Sequence, residues 1–280
     1  MADVVTVAVV QQRTSGEWEK DRDRAAQRLE YAASQGAVLA VFPELFGWSW
    51  FAGGMDKTAF RLAETLDGPR VEAWRTLARA HRIAIAAPQF LHDGQGLYHN
   101  AVVAIDQAGE IQGVYRTVHV PQIPGWEGKF YFADGDDFPV FTFDGIPIGF
   151  LICWDSFFPE AFRALALRGA RAIVVLTSAT GGNEDLWTRA LMANAFFNGV
   201  YVLRANRVGE EEHMSFCGAS FAAAPTGDLL GEPMGEVEGV GLYSIDRKAV
   251  ELTRREFPFL KDRRTRAYFD LADLVVRRRE

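Results

Sequence analysis

The chain has 280 residues, of which 49% are hydrophobic and 24% are charged, a composition typical of a globular protein with a large buried core. Its formal net charge of -7 argues against nucleic acid or an anionic membrane surface as the main partner. We therefore expect a protein that acts on a small molecule rather than on a polyanion.

The cysteine content and the apolar runs indicate the compartment. Only two cysteines are present, 64 positions apart, so a disulfide framework is not expected and a reducing environment is favoured. The first residues contain no basic segment, and no apolar run approaches the ~18 residues of a membrane-spanning helix. We expect a cytoplasmic protein with no membrane partner.

Apolar strand-like runs alternate with helix-like segments along most of the chain. Residues 4–10 predict a buried strand, and a helix-like segment that ends at Gly36 leads into a second apolar run, 37–42. Predicted helices 159–168 and 184–198 are each followed by a glycine and then by another apolar strand. This alternation predicts an α/β fold whose sheets are covered by helices.

Two segments interrupt the alternation. Residues 99–105 and 111–118 flank Gln-Ala-Gly-Glu and predict a β-hairpin, and residues 215–223 with Leu229 around Pro-Thr-Gly-Asp predict another. The sheets should therefore be mixed. No linker-like segment or short repeat divides the chain, so we expect a single domain over residues 1–280.

The stretch 146–160 contains the strongest candidate for a catalytic residue. An apolar run rich in β-formers reaches Ile152, Cys153 follows, and Trp-Asp-Ser precedes a helix that begins near Pro159. This pattern predicts a strand, a sharp turn and a helix, with unpaired helix N–H groups beside the thiol. Because a core strand rarely ends in a lone thiol beside polar residues, we interpret Cys153 as a nucleophile. Cys217 is interpreted instead as a small core residue.

A nucleophilic thiol requires a base, because its unperturbed pKa of about 8.5 leaves it mostly protonated at neutral pH. Glu44 ends an apolar strand inside Phe-Pro-Glu-Leu-Phe, where partial burial would raise its pKa. His119 is the alternative base, as in enzymes with a Cys-His pair. Ser178 also follows an apolar strand, and carboxyl ends of strands line the ligand crevice of α/β folds. We expect these side chains to lie close to Cys153.

Seven motifs, in this order, resemble the carbon-nitrogen hydrolases of the nitrilase superfamily. They are VFPEL (41–45), HNAVVAID (99–106), YRTVHVP (115–121), KFYFADGDD (129–137), ICWDSFFPE (152–160), NGVYVLRANRVG (198–209) and REFPFLKDRR (255–264). The resemblance covers nearly the whole chain. It implies a four-layer α-β-β-α sandwich, no metal or organic cofactor, and homo-oligomers that pair the region near the nucleophile helix. It also implies hydrolysis of nitriles, amides or N-carbamoyl compounds through a covalent thiol adduct.

The resemblance assigns roles to individual residues. Cys153 matches the nucleophile, Glu44 matches the general base, and the backbone N–H of Trp154 matches an oxyanion donor. The family pattern at 115–119 is Tyr-Arg-Lys-x-His, yet Thr117 occupies the position of its catalytic lysine. Removing one oxyanion partner costs about 10²–10³ in rate where this has been done. We therefore expect altered electrostatics in the site.

A second departure lies nearby. Gly128 occupies the position of an auxiliary acid of the family, and Glu127 precedes it by one residue. His119 and Lys129 are alternative substitutes for the missing cation. Restoring both the catalytic lysine and the auxiliary acid of the family would take Thr117→Lys together with Gly128→Glu.

Aromatic residues near the expected site bear on the substrate. They are Trp48, Trp50, Phe51, Trp126, Phe130 and Tyr131. If they line a pocket rather than a core, they favour an apolar or aromatic amide, ester or carbamoyl compound. The function predicted first is a thiol-dependent hydrolase of an amide or N-carbamoyl small molecule. The alternative is a hydrolysis-impaired member of the family that binds a ligand, transfers or condenses acyl groups, or serves as an assembly subunit.

Overall fold

The computed structural model describes residues 3–211 and 214–271. The ends of the predicted single domain and residues 212–213 lie outside the described residues. In chain order the helices are α1 (Trp18–Ser34), α2 (Pro69–His81), α3 (Gly128–Tyr131), α4 (Pro159–Leu167), α5 (Glu184–Asn198) and α6 (Arg247–Glu256). The strands are β1 (Val4–Gln11), β2 (Ala37–Val41), β3 (Ala84–His92), β4 (Tyr98–Ile105), β5 (Ile111–Arg116), β6 (Val140–Phe143), β7 (Ile146–Ile152), β8 (Ala172–Thr177), β9 (Tyr201–Asn206), β10 (Val208–Glu211), β11 (Met214–Cys217), β12 (Phe221–Ala223) and β13 (Gly239–Asp246).

Two mixed sheets contain most of the strands. The first has the order β13-β1-β2-β3-β4-β5, and the second has the order β12-β9-β8-β7-β6. In each sheet the three central strands, β1 to β3 and β7 to β9, run parallel, while the outer strands pair antiparallel. The predicted α/β fold with mixed sheets is confirmed.

The sheets and helices form four layers. Side chains of β1 alternate between two cores: Ala8 packs with Leu29 and Trp74 of α1 and α2, whereas Val7 packs in a core shared with the second sheet. On the far side of the second sheet, α4 packs so closely on β7 that Leu165 lies where a side chain at Gly149 would be. The order of layers is therefore helices, sheet, sheet, helices.

The predicted elements around the thiol are present, and the second predicted hairpin is confirmed at its turn but not along its whole first strand. The structure contains α4 and α5 with nearly the expected bounds and the first hairpin as β4 and β5. The second hairpin is split, because Gly218 and Ala219 have φ values of +67° and +52° that end the strand. Residues on either side pair with different strands, β11 with β10 and β12 with β9, and a single bridge joins Ala223 to Leu229.

Of the helices in the described ranges, none combines the length and the apolar composition that crossing a bilayer requires.

Candidate active site

Cys153 lies at the junction between β7 and a 3-10 helix that spans Cys153–Phe157. Its φ of +45° falls in the left-handed region, which a residue with a side chain rarely adopts. The following turn is fixed by the Ser156 hydroxyl, which donates to the carbonyl oxygen of Cys153 over 2.6 Å. The strand, turn and helix predicted from the sequence thus bring a buried thiol to the carboxyl end of a central strand.

Glu44 lies beside this thiol in the same cavity and is almost completely buried. Asn100 Nδ2 donates to Glu44 Oε1 over 2.7 Å, whereas Glu44 Oε2 has no hydrogen-bond partner. Burial raises the pKa of Glu44 to about 7, against the opposite effects of Asn100, Arg207, Cys153 and the Ser178 amide. A carboxylate with that pKa and one free oxygen is suited to accept a proton near neutral pH.

The thiol itself is held in its protonated form when no substrate is present. Burial raises the pKa of Cys153 well above its usual value, and the Glu44 carboxylate raises it further, while the Ser178 amide lowers it. Cys153 and Cys217 are each 7% exposed, so exposure does not distinguish the two thiols. The difference is that Cys153 lines two cavities, described below, and Cys217 lines neither.

Arg207 fixes the loop that carries Glu44. Its guanidinium is fully buried, and it donates to the carbonyl oxygens of Glu44, Leu45 and Trp48 over 2.8 to 3.1 Å and pairs with Glu211 at 2.7 Å. The Ser178 hydroxyl also donates to the carbonyl oxygen of Glu44, over 3.0 Å. Ser178, which was predicted from its strand-end position, therefore contacts Glu44 and does not line the cavities around Cys153.

The sequence interpretation did not assign roles to Arg207 or Asn100. Both lie in motifs on which the family resemblance rests, NGVYVLRANRVG and HNAVVAID. The presence of an arginine or an asparagine at these positions does not by itself reveal that each contacts Glu44.

A second buried carboxylate, Asp155, receives donors on both oxygens. They are the Tyr115 hydroxyl (2.5 Å), the Thr117 hydroxyl (2.9 Å) and the backbone N–H groups of Ile152 (3.1 Å), Val118 (3.2 Å) and His119 (2.8 Å). His119 Nδ1 also lies 3.0 Å from Asp155 Oδ1, and its ring stacks on Phe158 at 3.6 Å. Asp155 thus joins the segment after β5 to the turn that carries Cys153. His119 supports this junction and does not line the cavity around the thiol.

Thr117 and Gly128 both line the cavity next to Cys153, so the two departures from the family pattern lie at the same cavity. The single hydroxyl proton of Thr117 is directed to Asp155. A Cβ atom at Gly128 would lie only 2.8 Å from the carbonyl oxygen of Pro121. The expected restoration by Gly128→Glu therefore conflicts with the local backbone.

The remaining predicted residues lie in three places: the cavity, a buried core and the surface. Trp126 and Trp154 line the cavity, whereas Trp48 packs in a core and donates to the carbonyl oxygen of Leu62. Trp50, which was named with Trp48 as a candidate lining residue, does line the cavity.

Glu127 and Lys129 lie outside that lining. Glu127 accepts a hydrogen bond from Gln122 on the surface. Lys129 is exposed and borders a different groove, beside Phe60 and Leu97.

Two connected cavities open around Cys153. The inner one contains Glu44 and Thr117 and has a volume of about 10 Å³, room for roughly one water molecule. The outer one has a volume of about 260 Å³ and shares Pro121, Trp126, Cys153 and Trp154 with the inner one. Its other lining residues are Ile123, Phe157, Ala179, Thr180, Asn183, Leu186 and Trp187. Among the residues that the structure describes, no Asp, Glu, Lys or Arg lines the outer cavity, which makes it a pocket for apolar groups.

Within residues 3–211 and 214–271, no three His, Cys, Asp or Glu side chains are grouped closely enough to hold a metal ion.

Comparison with known proteins agrees with this geometry. Residues 6–255 match the family model described as carbon-nitrogen hydrolase. A citrullinase from Francisella tularensis is 31% identical, with 98% of this chain and 99% of that protein covered. A solved carbon-nitrogen hydrolase from Helicobacter pylori superposes with a TM-score of 0.92 at 30% identity, covering 98% of this chain and 100% of that one.

A further solved structure, a variant of an amidase from Nesterenkonia sp. AN1, has a TM-score of 0.81 at 26% identity and covers 95% of this chain and 99% of that one. It contains acrylamide added to its active-site cysteine. On the strength of the family match and these relatives, the chain belongs to the carbon-nitrogen hydrolase family.

Proposed function

We propose that this carbon-nitrogen hydrolase cleaves a small, largely apolar amide or N-carbamoyl compound through a covalent adduct on Cys153. The observation that carries the proposal is the free Oε2 of buried Glu44 beside the thiol. A base with a pKa of about 7 is partly deprotonated at neutral pH and can accept the thiol proton as the sulfur attacks.

The reaction proceeds in two halves. Cys153 Sγ bonds to the carbonyl carbon as its proton passes to Glu44, and the carbonyl electron pair moves to the oxygen, which becomes negative. Collapse of this intermediate breaks the carbon-nitrogen bond, and Glu44 returns the proton to the leaving amine. Glu44 then takes a proton from water, whose oxygen attacks the thioester, and the acid leaves as the proton returns to Cys153.

The developing oxyanion needs donors that are not already engaged. The backbone N–H of Trp154, which follows the nucleophile, is assigned this role. Thr117 acts in this proposal through Asp155, because its only hydroxyl proton is directed there. Simple amide turnover should therefore be slower than in a site with an ammonium group at position 117.

The two cavities favour a particular substrate shape. The inner cavity has room for only about one water molecule, so the acyl part of the substrate would lie in the outer cavity against Trp126, Trp154 and Trp187. The names of the similar proteins, a citrullinase and an amidase, cover more than one substrate class. We infer the apolar preference from the uncharged lining of the outer cavity.

Intact-mass spectrometry after incubation with amides tests the proposal. Phenylacetamide and hexanamide should leave an acyl mass on the protein and on Cys217→Ala, and none on Cys153→Ala. Asparagine and glutamine serve as polar comparisons and should acylate far less. An acyl group on Cys217, or turnover that survives Cys153→Ala, would overturn the nucleophile assignment. Transfer of the acyl group to an added amine in preference to water would favour acyl transfer over hydrolysis.

We also propose that copies of the chain pair through the helices that follow Cys153. Leu167 at the end of α4 and Phe197 at the end of α5 are about half exposed and line the same surface groove, so they form part of a contiguous apolar patch. Sedimentation velocity of the chain and of Leu167→Glu tests this, since the variant should shift toward monomer.

A further inference from the structure

Arg204 on β9 is a buried cation that the proposed reaction has not used. Its side chain is completely buried, and Nε donates to the Thr177 hydroxyl over 3.2 Å. Nη1 and Nη2 have no hydrogen-bond partner. The guanidinium carbon lies 4.6 Å from the centre of the Trp187 ring, which lines the outer cavity. Burying a guanidinium with unpaired donors destabilises the folded state, so packing alone does not account for Arg204.

The strand register places Arg204 near the nucleophile. Arg204 is paired with Val175 of β8, and Val175 is paired with Leu151 of β7, two residues before Cys153. Thr177, which Arg204 contacts, directly precedes Ser178, whose amide lowers the pKa of Cys153. Arg204 therefore lies two strands from Cys153 and behind the outer cavity.

The charged and titratable groups that face Arg204 come from three directions. In order of their effect on Arg204, they are Cys217 on β11, Cys153 after β7 and Glu184 on α5. Burial lowers the pKa of Arg204 to about 10, and these three groups oppose that change. At neutral pH Arg204 therefore keeps its proton and remains a cation. The groups that face Cys153 are Glu44, which raises the thiol pKa, and Arg204, which lowers it.

We propose that Arg204 is a positioning residue of the hydrolytic site, whose buried positive charge stabilises the negative charge that develops on Cys153 Sγ as its proton passes to Glu44. The inference rests on the proposed function, because it requires Cys153 to be the nucleophile. Arg204 also lies at a different place from the family lysine, whose position is occupied here by Thr117. Arg204 stacks on Trp187 of α5, whereas Thr117 lines the cavity that also contains Gly128.

Three properties of the site support an electrostatic role. Long-range interactions are strong in a buried site, because little water screens them. The free Nη atoms leave the charge of Arg204 unneutralised by a hydrogen-bonded carboxylate. Stacking on Trp187 restricts where the guanidinium can lie.

The test follows the rate at which iodoacetamide alkylates Cys153 between pH 5 and pH 10, with peptide mass spectrometry to separate Cys153 from Cys217. Arg204→Met removes the charge at similar volume, and Arg204→Lys retains it. At pH 7.5 we expect alkylation to be at least tenfold slower in Arg204→Met, with the rise of its rate displaced to higher pH. Arg204→Lys should stay within about threefold of the parent. Thermal unfolding should show Arg204→Met to be as stable as the parent, because replacing a buried charge by an apolar group is often neutral.

The outcomes separate this inference from the proposed function. If the parent is not alkylated at Cys153, the nucleophile assignment fails. If the parent is alkylated there and the Arg204→Met profile overlays it, only the role of Arg204 is overturned. If Arg204→Met does not fold, Glu184→Gln provides the test instead. That variant removes a carboxylate that faces Arg204 and offsets part of its positive charge. Faster alkylation in that variant supports the role, and an unchanged profile overturns it.

Discussion

Two buried carboxylates flank the nucleophile, and they differ mainly in how many donors reach them. Glu44 accepts a side-chain bond from Asn100 on one oxygen and has no partner on the other. Asp155 accepts bonds on both oxygens from hydroxyl and backbone donors. Burial without enough donors raises the pKa of Glu44 to about 7, which suits a proton acceptor. Asp155 is also buried, but its many donors make it a structural contact between the segment after β5 and the turn that carries Cys153. The comparison teaches that donor count, more than burial, divides chemistry from scaffolding in this site.

Replacing Glu44 should produce the largest effect on catalysis. Glu44→Gln keeps the shape and the bond from Asn100 but removes the proton acceptor, so amide kcat/KM should fall by about 10³. Its melting temperature should match that of the parent. Steady-state kinetics and thermal unfolding measure both quantities, with Cys153→Ala as the inactive reference. More than a tenth of the parent activity in Glu44→Gln would show that another group is the base.

Replacing Asp155 should mainly affect stability. Asp155→Asn turns an N–H₂ group toward donors that need an acceptor, so the free energy of unfolding should fall by ~3 kcal/mol. Asp137, an exposed acid that pairs with Arg168, supplies the control, and Asp137→Asn should cost less than ~1 kcal/mol. Urea denaturation compares the two. Equal stability losses would show that the donors on Asp155 contribute little.

A lysine at position 117 would place a cation on the wall between the two carboxylates. Thr117→Lys should raise amide turnover at least tenfold, equivalent to ~1.4 kcal/mol of transition-state stabilisation, because the ammonium group stabilises the oxyanion. Thr117→Val is the matched control, since it also removes the bond to Asp155 but adds no charge. If the parent already turns over amides at ordinary rates and the lysine abolishes activity, Thr117 belongs to a different mechanism.

Removing Asn100, whose side chain donates to Glu44, should produce the smallest effect, a shift in the pH dependence of kcat/KM. Glu44 must be deprotonated to accept the thiol proton, so kcat/KM should fall as the pH decreases through about 7. Asn100 lowers the pKa of Glu44, so Asn100→Leu should move this acidic limb to higher pH and reduce activity at pH 7 by about threefold.

Asn194 on α5, whose side chain donates to the carbonyl oxygen of Ala190 in the same helix, provides the control for that experiment. Asn194→Leu should leave the limb near pH 7. A limb that is unchanged in Asn100→Leu would contradict the dependence of Glu44 on its donor.

The sequence allowed the strand, turn and helix around Cys153 to be predicted, because apolar periodicity and Pro159 mark them locally. It also identified Glu44 from its strand-end position. Side chains in the loops could not be placed in this way, since loops have no periodicity that fixes direction. Trp48 and Trp50 illustrate this limit, because one packs in a core and the other lines the cavity.

Contacts between distant segments were also beyond the sequence. The bond from Thr117 to Asp155 joins residues 38 positions apart, and the contact of Arg204 with Trp187 depends on how α5 packs on β9. The break at Gly218 was missed because Gly-Ala does not resemble a usual turn sequence.

The protonation of Glu44 tests the central claim most directly. Carbon-13 NMR of protein labelled at the glutamate carboxyl carbon follows each side chain through a pH titration. We predict one resonance that titrates near pH 7, far above the ordinary glutamate value of 4.5, and that is absent in Glu44→Gln. Its midpoint should rise in Cys153→Ala, because the thiol lowers the pKa of Glu44. If instead Glu44 titrates near 4.5 with the other glutamates, it is not the poised base on which this mechanism depends.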